Sequence, residues 1–246
     1  MMDAKELVKR IRALPRARLL AFDVDGTLAP IVELPGDARV PSRTRRALRR
    51  LAEKQRVAFV TGRDLGGLRK VLGPVPGAWR AVEHGGWVVP PGVRARRPAP
   101  SDEERARLQA FATFVRATPG RLETKPRAMA LHVRGLDGAT QAALLARAAR
   151  RAKRLGLHVR HGRAVLEAEL APGDKGEALQ ELHERTKARA VFFAGDDLTD
   201  MPAIRYAAAN GLGVFVASEE RRSPRGVPIV PNVEVFAEAI ELLAGV

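Results

Sequence analysis

Two clusters of aspartates follow short apolar runs in distant parts of the chain. The first cluster holds Asp23 and Asp25, and the second holds Asp196, Asp197 and Asp200. Because the carboxyl ends of parallel strands meet at one edge of a sheet, we expect the two clusters to converge there. Converging like charges need a cation, and Mg²⁺ suits oxygen ligands while keeping several of its own waters. The sequence therefore predicts a magnesium site made of one carboxylate from each cluster and a backbone carbonyl.

The two-residue spacing within the first cluster suits two different roles in phosphoryl transfer. Asp23 could bind the metal ion and attack phosphorus, while Asp25 could offer its carbonyl to the ion and its side chain to the leaving group. Gly26 then lets the backbone turn sharply and approach a phosphate closely. The pattern therefore favours a transient aspartyl-phosphate on Asp23.

Phosphoryl transfer also needs hydrogen-bond donors and positive charge around the equatorial oxygens. Thr61 follows the apolar run 57–60 and offers a hydroxyl and a backbone N–H. Lys175 stands at the start of a predicted helix and offers an ammonium group. These two residues complete a set that could position and neutralise a phosphoryl group.

The elements that must position these residues have the pattern of an α/β fold. Short apolar runs that end in polar residues predict buried parallel strands, and helical segments fall between them. One helix, which Ser42 is placed to cap, extends to about Lys54. We expect a Rossmann-like, doubly wound parallel sheet. The runs that predict its strands are 18–22, 57–60, 79–82, 190–194 and 213–217.

A second, smaller domain is predicted as an insertion into this core. Residues 90–100 are rich in Pro, Gly and Arg and indicate a linker. A helix capped by Ser101, strands at 128–133 and 165–170 and a helix at 139–155 then predict an α+β cap domain. We assign 1–98 and 172–246 to the core and 99–171 to the cap, with hinges near 95–101 and 170–173.

The composition narrows the class of protein. Its 246 residues, 46% of them apolar, suffice for a core domain with an inserted one. The absence of cysteine excludes a disulfide framework and a thiolate metal site. Charges scattered through residues 1–18, and no apolar run near the ~18 residues of a membrane span, predict a cytoplasmic protein without a membrane segment.

The formal net charge of +15 raises the question of nucleic-acid binding. The 43 basic residues include 35 arginines, but they are spread along the chain rather than clustered. Only 4% of the residues are aromatic, which leaves few rings to stack on bases. We therefore expect a basic surface that attracts anionic substrates and no dedicated nucleic-acid site.

Four motifs occur in the order found in haloacid dehalogenase-like phosphatases, which the chain resembles. They are Asp23-Val-Asp25-Gly-Thr, Thr61-Gly-Arg, Lys175-Gly and Gly195-Asp-Asp-Leu-Thr-Asp200. Within that superfamily the chain resembles the trehalose-6-phosphate phosphatases. The finer features of this resemblance are Asp-Gly-Thr-Leu-Ala-Pro at 25–30, Glu83-His84-Gly85, Glu123-x-Lys125, His132-x-Arg134 and Glu167.

The resemblance implies a role for each matching residue. Asp23 would be the nucleophile and Asp25 the general acid and later the base, both touching Mg²⁺. Asp196 would be the third metal ligand, while Asp200 would lie in the outer shell or hold Lys175. Thr61 and Lys175 would bind the phosphoryl group, and Asp197 receives no role. The residues implied on the substrate side are Gly62, Arg63, His84, Glu123, Lys125, His132 and Glu167.

The same resemblance implies a small-molecule sugar phosphate as substrate and a functional pairing with a trehalose-6-phosphate synthase, and we expect a monomer. Other substrates stay open, because sucrose-phosphate and mannosyl-3-phosphoglycerate phosphatases and phosphosugar mutases share the core chemistry. A different class, a basic nucleic-acid-binding protein, is the remaining alternative. Its affinity for nucleic acid would fall steeply with salt.

Overall fold

The chain forms two compact units. The computed structural model describes residues 1–32, 35–93, 99–162, 164–218 and 224–246. One unit comprises Met1–Ala95 and Gly173–Val246, and the other comprises Arg96–Pro172. Residues 94–98 of the predicted linker, on which one predicted hinge partly falls, lie outside the described residues.

A seven-stranded sheet forms the centre of the first unit. Its strand order is β11-β10-β9-β1-β2-β3-β4, and every neighbouring pair is parallel except β3 with β4. The mainly parallel sheet of the predicted α/β core is thereby confirmed. The strands are β1 (Arg18–Phe22), β2 (Arg56–Val60), β3 (Trp79–Val82), β4 (Trp87–Val89), β9 (Ala190–Gly195), β10 (Gly211–Val216) and β11 (Ile229–Val230).

Helices cover both faces of this sheet, which explains why its central strands are apolar on both sides. Leu20 and Phe22 of β1 pack on the side of α1, α2, α3 and α8, whereas Leu19 and Ala21 pack on the side of α6 and α7. The helices are α1 (Ala4–Ala13), α2 (Ser42–Lys54), α3 (Leu65–Leu72), α6 (Lys175–Thr186), α7 (Met201–Ala209) and α8 (Val233–Ala244).

A cluster of phenylalanines anchors the strand that delivers the first aspartate. The ring of Phe22 lies 6.3 Å from that of Phe59, 6.0 Å from Phe192 and 6.2 Å from Phe236, centre to centre. All four side chains are fully buried, and burying each contributes ~1.5–3 kcal/mol. Because Asp23 directly follows Phe22, the start of the acidic segment is fixed to the core.

The second unit is a four-stranded antiparallel sheet with two helices packed on one face. The strand order is β5-β6-β8-β7. Met129, Leu131, Leu166 and Ala168 face the helices, so the alternate positions form an opposite, polar face. The elements are α4 (Asp102–Arg116), β5 (Arg121–Lys125), β6 (Ala128–His132), α5 (Gly138–Arg154), β7 (His158–Gly162) and β8 (Val165–Glu169).

One local prediction is wrong. Ser42 does not cap α2 but is its first helical residue, and Pro41 precedes it with non-helical backbone angles and without a side-chain cap. The chain enters the helix one residue earlier than expected, and proline has no side-chain oxygen to accept a hydrogen bond. By contrast, Ser101 caps α4 as predicted and pairs reciprocally with Glu104.

Membrane insertion finds no support in the helices that the structure describes. None of them combines the length and the apolar character needed to cross a bilayer.

Candidate active site

Four neighbouring strands of the first unit deliver polar residues to one edge of the sheet. β9, β1, β2 and β3 are adjacent and parallel, and they end at Gly195, Phe22, Val60 and Val82. The next residues are Asp196, Asp23, Thr61 and Glu83. Adjacent strands lie ~4.8 Å apart, so residues distant in sequence become neighbours. The predicted convergence of the two acidic clusters follows from this topology.

Three carboxylates meet at this edge. Asp23, Asp196 and Asp200 each offer an oxygen, and these oxygens all lie within 4.8 Å of one another. All three residues are buried, with 3%, 1% and 0% of their surface exposed. The backbone N–H of Asp23 donates to the carbonyl of Ala194 at 2.9 Å, which ties the two strand ends together.

Lys175 at the start of α6 is the cation that the described residues place within this group. Its Nζ lies 2.7 Å from Oδ1 of Asp23 and 2.6 Å from Oδ1 of Asp200. One ammonium among three carboxylates leaves a formal net charge of minus two when all four groups are ionised. Buried charge of this kind is costly unless it is compensated, so the cluster favours a divalent cation.

The donor set and the space around it fit such an ion. Carboxylate and carbonyl oxygens are the ligands that Mg²⁺ takes in proteins. Gly26 has a left-handed φ of 81°, and a Cβ there would lie 2.0 Å from Oδ2 of Asp196. Glycine is therefore required for the backbone of the first acidic segment to pass directly against the carboxylate of the second.

Asp200 is engaged through both of its oxygens. While Oδ1 accepts from Lys175, Oδ2 accepts from the backbone N–H groups of Asp196 at 3.1 Å and Asp197 at 3.0 Å. Asp200 thus holds both the lysine and the loop that presents Asp196. Asp197, which received no role, caps the short turn Leu198–Asp200 by accepting from the N–H of Leu198.

The protonation of this cluster reflects its burial. Loss of hydration raises the pKa of Asp23 to about 7, with Asp200 and Asp25 adding to the rise and Lys175 opposing it. For Lys175, burial works toward a lower pKa, but the charges of Asp200 and Asp23 outweigh it and hold the pKa above its ordinary value. Lys175 therefore remains an ammonium group. A cation bound beside Asp23 would oppose the rise of its pKa and favour the carboxylate form.

The segment after β2 is locked by the turn after β3. Thr61 is fully buried, and its carbonyl accepts from the N–H of His84 at 2.9 Å. The carbonyl of Arg63 accepts from the N–H of Glu83 at 2.8 Å. Gly62 lies under the ring of His84, since a Cβ there would come within 2.4 Å of Cε1. The short segment 61–63 is thus fixed along its backbone.

That turn adopts an unusual backbone. Glu83 and His84 have φ values of 53° and 57°, a left-handed conformation that costs residues other than glycine ~1–3 kcal/mol each. A Cβ on Gly173 would come within 2.5 Å of the carbonyl of Glu83. The turn therefore packs directly against the segment that leads into Lys175.

Arg63 and Asp25 form a two-point ion pair. Nε of Arg63 lies 2.7 Å from Oδ2 of Asp25, and Nη2 lies 2.7 Å from Oδ1. Thr27, to which the sequence reasoning gave no role, donates from its hydroxyl to Oδ2 of Asp23 at 3.3 Å. Its place as the last residue of the Asp-x-Asp-Gly-Thr motif was the available signal.

The predicted substrate-side residues divide between the two units. Gly62, Arg63 and His84 lie in the first, and the other four lie on the polar sheet face of the second. There, Nζ of Lys125 lies 2.6 Å from Oε1 of Glu167, and Nε2 of His132 lies 2.6 Å from Oε2 of Glu123. The hydrogen bond from His132 is the main reason that the pKa of Glu123 is lowered.

The same face holds a pair that sequence reasoning missed. Arg160 stands beside Glu167 in the strand register, and its Nε lies 2.9 Å from Oε1 of Glu169. Burial raises the pKa of Glu169, although Arg160 opposes the rise. The run 158–162 is too polar to predict a strand, so the sequence does not reveal the alternation that places Arg160 on this face.

Comparison with known proteins matches the chain to one family model. The trehalose-phosphatase family model matches residues 21–223. An uncharacterized glycosyl hydrolase of Mycobacterium tuberculosis is 33% identical over 240 residues, which cover 91% of this chain and 18% of that protein. A trehalose-phosphate phosphatase of Mycobacterium marinum is 33% identical over 214 residues, covering 81% of this chain and 54% of that protein. The chain thus spans about half or less of the length of these two relatives.

Among solved structures, the C-terminal domain of the trehalose-6-phosphate phosphatase of C. albicans has a similar fold. The TM-score is 0.76 at 22% sequence identity, and the match covers 100% of this chain and 97% of that one. This likeness confirms the predicted core with its inserted domain. On the family match over most of its length, the chain belongs to the trehalose-phosphatase family of haloacid dehalogenase-like hydrolases.

Proposed function

We propose that this chain is a Mg²⁺-dependent phosphatase that hydrolyses trehalose 6-phosphate to trehalose and phosphate through an aspartyl-phosphate on Asp23. The observation that supports this most strongly is the buried cluster of Asp23, Asp196, Asp200 and Lys175. Such a cluster does not serve to stabilise the fold, because buried charges are destabilising unless they are compensated. Family membership adds the reaction class and the sugar phosphate.

The residues that would hold Mg²⁺ are Asp23 and Asp196 through their carboxylates and Asp25 through its backbone carbonyl. When bound, the ion supplies positive charge that reduces the repulsion between an anionic nucleophile and an anionic substrate. The fit rests on the all-oxygen donor set and on the close approach of Asp196 to the backbone of Gly26.

The chain's own residues then divide the chemistry. A carboxylate oxygen of Asp23 attacks phosphorus while Asp25 gives a proton to the departing sugar oxygen. In the second step a water molecule attacks the phosphoryl group and Asp25 takes a proton from it. Thr61 and Lys175 bind the phosphoryl oxygens, and Asp200 keeps Lys175 in position.

The polar sheet face of the second unit supplies the groups for the sugar. Sugar hydroxyls both donate and accept hydrogen bonds, so a face that alternates carboxylates with cations suits them. Glu123 with His132 and Lys125 with Glu167 are pre-arranged as such pairs. Arg160 and Glu169 extend the same face and belong to the proposed sugar-binding set.

The remaining parts of the proposal concern the protein's surroundings. We expect a cytoplasmic monomer that acts on a small molecule, without a nucleic-acid or membrane partner. Because its substrate is a phosphorylated disaccharide, the enzyme would act after a trehalose-6-phosphate synthase that supplies it.

The test is phosphate release from a panel of esters. Purified protein with Mg²⁺ should release phosphate from trehalose 6-phosphate faster than from sucrose 6-phosphate, mannosyl-3-phosphoglycerate or p-nitrophenyl phosphate, and EDTA should stop it. Asp23→Asn should abolish turnover and keep the fold, while Asp102→Asn, at an exposed helix start, should leave it unchanged. Full activity of Asp23→Asn would refute the mechanism, and a preference for another ester would refute the substrate.

A further inference from the structure

The family resemblance implies Arg63 on the substrate side, and in this structure its guanidinium also contacts a catalytic candidate, Asp25. Two of its five N–H donors meet the two oxygens of Asp25, both at 2.7 Å. A two-point contact of this kind fixes the plane and the direction of a carboxylate, which a single hydrogen bond does not.

Arg63 is itself rigidly held where it leaves the backbone. Its carbonyl accepts from the N–H of Glu83 at 2.8 Å, and its N–H donates to the hydroxyl of Thr61 at 3.2 Å. The guanidinium therefore extends from a fixed base. The left-handed turn at Glu83 and His84, wedged against Gly173, provides that base.

The side chain of Asp25 needs a partner that fixes its orientation more than the side chain of Asp23 does. The side chain of Asp23 is 5% exposed and is held by Lys175 and Thr27, whereas the side chain of Asp25 is 40% exposed. A half-exposed aspartate samples several rotamers unless a partner selects one. The proton that Asp25 gives and takes must nevertheless travel along a defined line.

We propose that Arg63 is a positioning residue that orients the carboxyl group of Asp25 for proton transfer to the leaving group and from the attacking water. This inference rests on the proposed phosphatase function. In the first step the ester O–P bond breaks, its electron pair goes to the sugar oxygen, and that oxygen takes the proton of Asp25 as Asp23 bonds to phosphorus. In the second step the water oxygen bonds to phosphorus, its proton goes to Asp25, and the bond between Asp23 and phosphorus breaks.

The two-point contact with Arg63 leaves Asp25 able to carry that proton. A carboxyl group has about four lone-pair sites on its two oxygens, and the guanidinium occupies one on each. The remaining site on each oxygen is available to the leaving group or to water. Arg63 thus restricts the direction of the group without blocking its chemistry.

The test compares two leaving groups. Trehalose 6-phosphate needs a proton on its alkoxide as it departs, whereas p-nitrophenolate is stable without one. A general acid contributes ~10²–10⁴-fold, so Arg63→Gln should lower the rate of the first step, release of the leaving group in a single turnover, at least ~10-fold for trehalose 6-phosphate. The same rate for p-nitrophenyl phosphate should fall less than ~3-fold, since that leaving group depends little on general acid catalysis. Hydrolysis of the aspartyl-phosphate is common to both esters and should slow equally for both.

A double mutant and two controls complete the experiment. Asp25→Asn with Arg63→Gln should be no slower on trehalose 6-phosphate than Asp25→Asn alone, because both changes remove one function. Arg63→Lys keeps the charge but not the fork and should show the same split between the two esters. Arg43→Gln, which breaks a surface ion pair with Glu241, should change neither rate.

The outcomes separate the two proposals. A rise in KM at unchanged kcat, equal losses in the first-step rate of both esters, additive losses in the double mutant or full rescue by Arg63→Lys would each overturn the positioning role while the phosphatase function stands. If the unaltered protein cleaves neither ester, both proposals fall. Thermal melts by circular dichroism establish that each variant is folded, and a variant that does not fold is replaced by Arg63→Lys as the test of the split.

Discussion

Removing the ammonium group of Lys175 should lower the unfolding free energy, because three buried carboxylates then lose their compensating charge. Lys175→Met keeps the length of the side chain but deletes hydrogen bonds of 2.7 and 2.6 Å to Asp23 and Asp200. Taking away one partner of a buried ion pair costs ~3–5 kcal/mol, since the remaining charges stay buried without compensation. We expect the metal-free variant to lose that much unfolding free energy at pH 8.5.

The loss should depend on pH in a definite direction. The pKa of Asp23 is raised from 3.8 to about 7 in the folded protein, and Lys175 opposes that rise. A raised pKa makes a contribution to stability that is complete below 3.8 and is lost as pH rises through about 7. Without the lysine the rise is larger, so the defect of Lys175→Met should be smallest at pH 6 and grow toward pH 8.5.

The assay is urea denaturation in EDTA at both pH values, repeated with saturating Mg²⁺. The metal should restore much of the lost stability, because a ligand present at ~100 times its dissociation constant adds ~2.7 kcal/mol to the folded state. Lys54→Met, at an exposed helix end, is the matched control and should change stability by ~0.5 kcal/mol at most. A loss below ~1 kcal/mol at pH 8.5, or equal losses at both pH values, would refute the electrostatic reasoning.

Three further predictions concern the same site and the sugar-binding face. Gly26→Ala should reduce both stability and Mg²⁺ affinity, since its Cβ would lie 2.0 Å from Asp196, whereas Gly92→Ala has a similar φ and open space and should cost only the backbone strain. Lys125→Ala should raise KM for trehalose 6-phosphate more than for p-nitrophenyl phosphate, because its ammonium lies on the proposed sugar-binding face. Mg²⁺ affinity should weaken by up to ~10-fold per pH unit below about 7, since Asp23 must lose a proton to bind the ion.

Calorimetry, steady-state kinetics and metal titrations test these three predictions in turn. Calorimetry of Mg²⁺ binding to the glycine variants would contradict the clash if both bound equally well. Steady-state kinetics with the two esters would argue against the sugar-binding face if the Lys125 variant affected them alike. Titrations at several pH values would disprove the proton linkage if the affinity stayed constant and no proton was released.

The convergence of the polar residues in the first unit was predictable because it depends on strand ends. Buried parallel strands are apolar along their whole length, so the first polar residue after each run lies at the carboxyl edge. This rule alone placed Asp23, Thr61 and Asp196 together. The convergence needs no knowledge of side-chain geometry, and it was predicted from pattern and order.

Features that depend on contacts between segments were not predictable. The left-handed backbone of both Glu83 and His84 has no clear sequence signal, since glutamate does not favour positive φ and the close packing of Gly173 against this turn is a contact between distant segments. The Thr61-Gly-Arg motif located Arg63 near the site, but whether its guanidinium meets the substrate or Asp25 depends on a side-chain direction that spacing does not fix.

Strand β7 and helix α1 were not predicted from the sequence, for the same physical reason. Strand β7, His158–Gly162, has polar residues on one face and only Val159 as an apolar residue on the other. Its composition therefore resembles that of a loop. Helix α1, Ala4–Ala13, has charges scattered among its apolar residues, and only Leu7, Val8 and Ile11 form a buried stripe at helical spacing with Ala4. In both cases one narrow face decides the structure.

The most direct test of the central claim is detection of phosphate on Asp23 itself. Protein mixed with trehalose 6-phosphate and Mg²⁺, quenched in acid within milliseconds and digested, should yield a phosphorylated peptide 19–39 with the modification on Asp23. The modification should be absent without Mg²⁺ and should vanish as substrate is consumed. Turnover with phosphate found on no residue, or on a residue other than Asp23, would contradict the account.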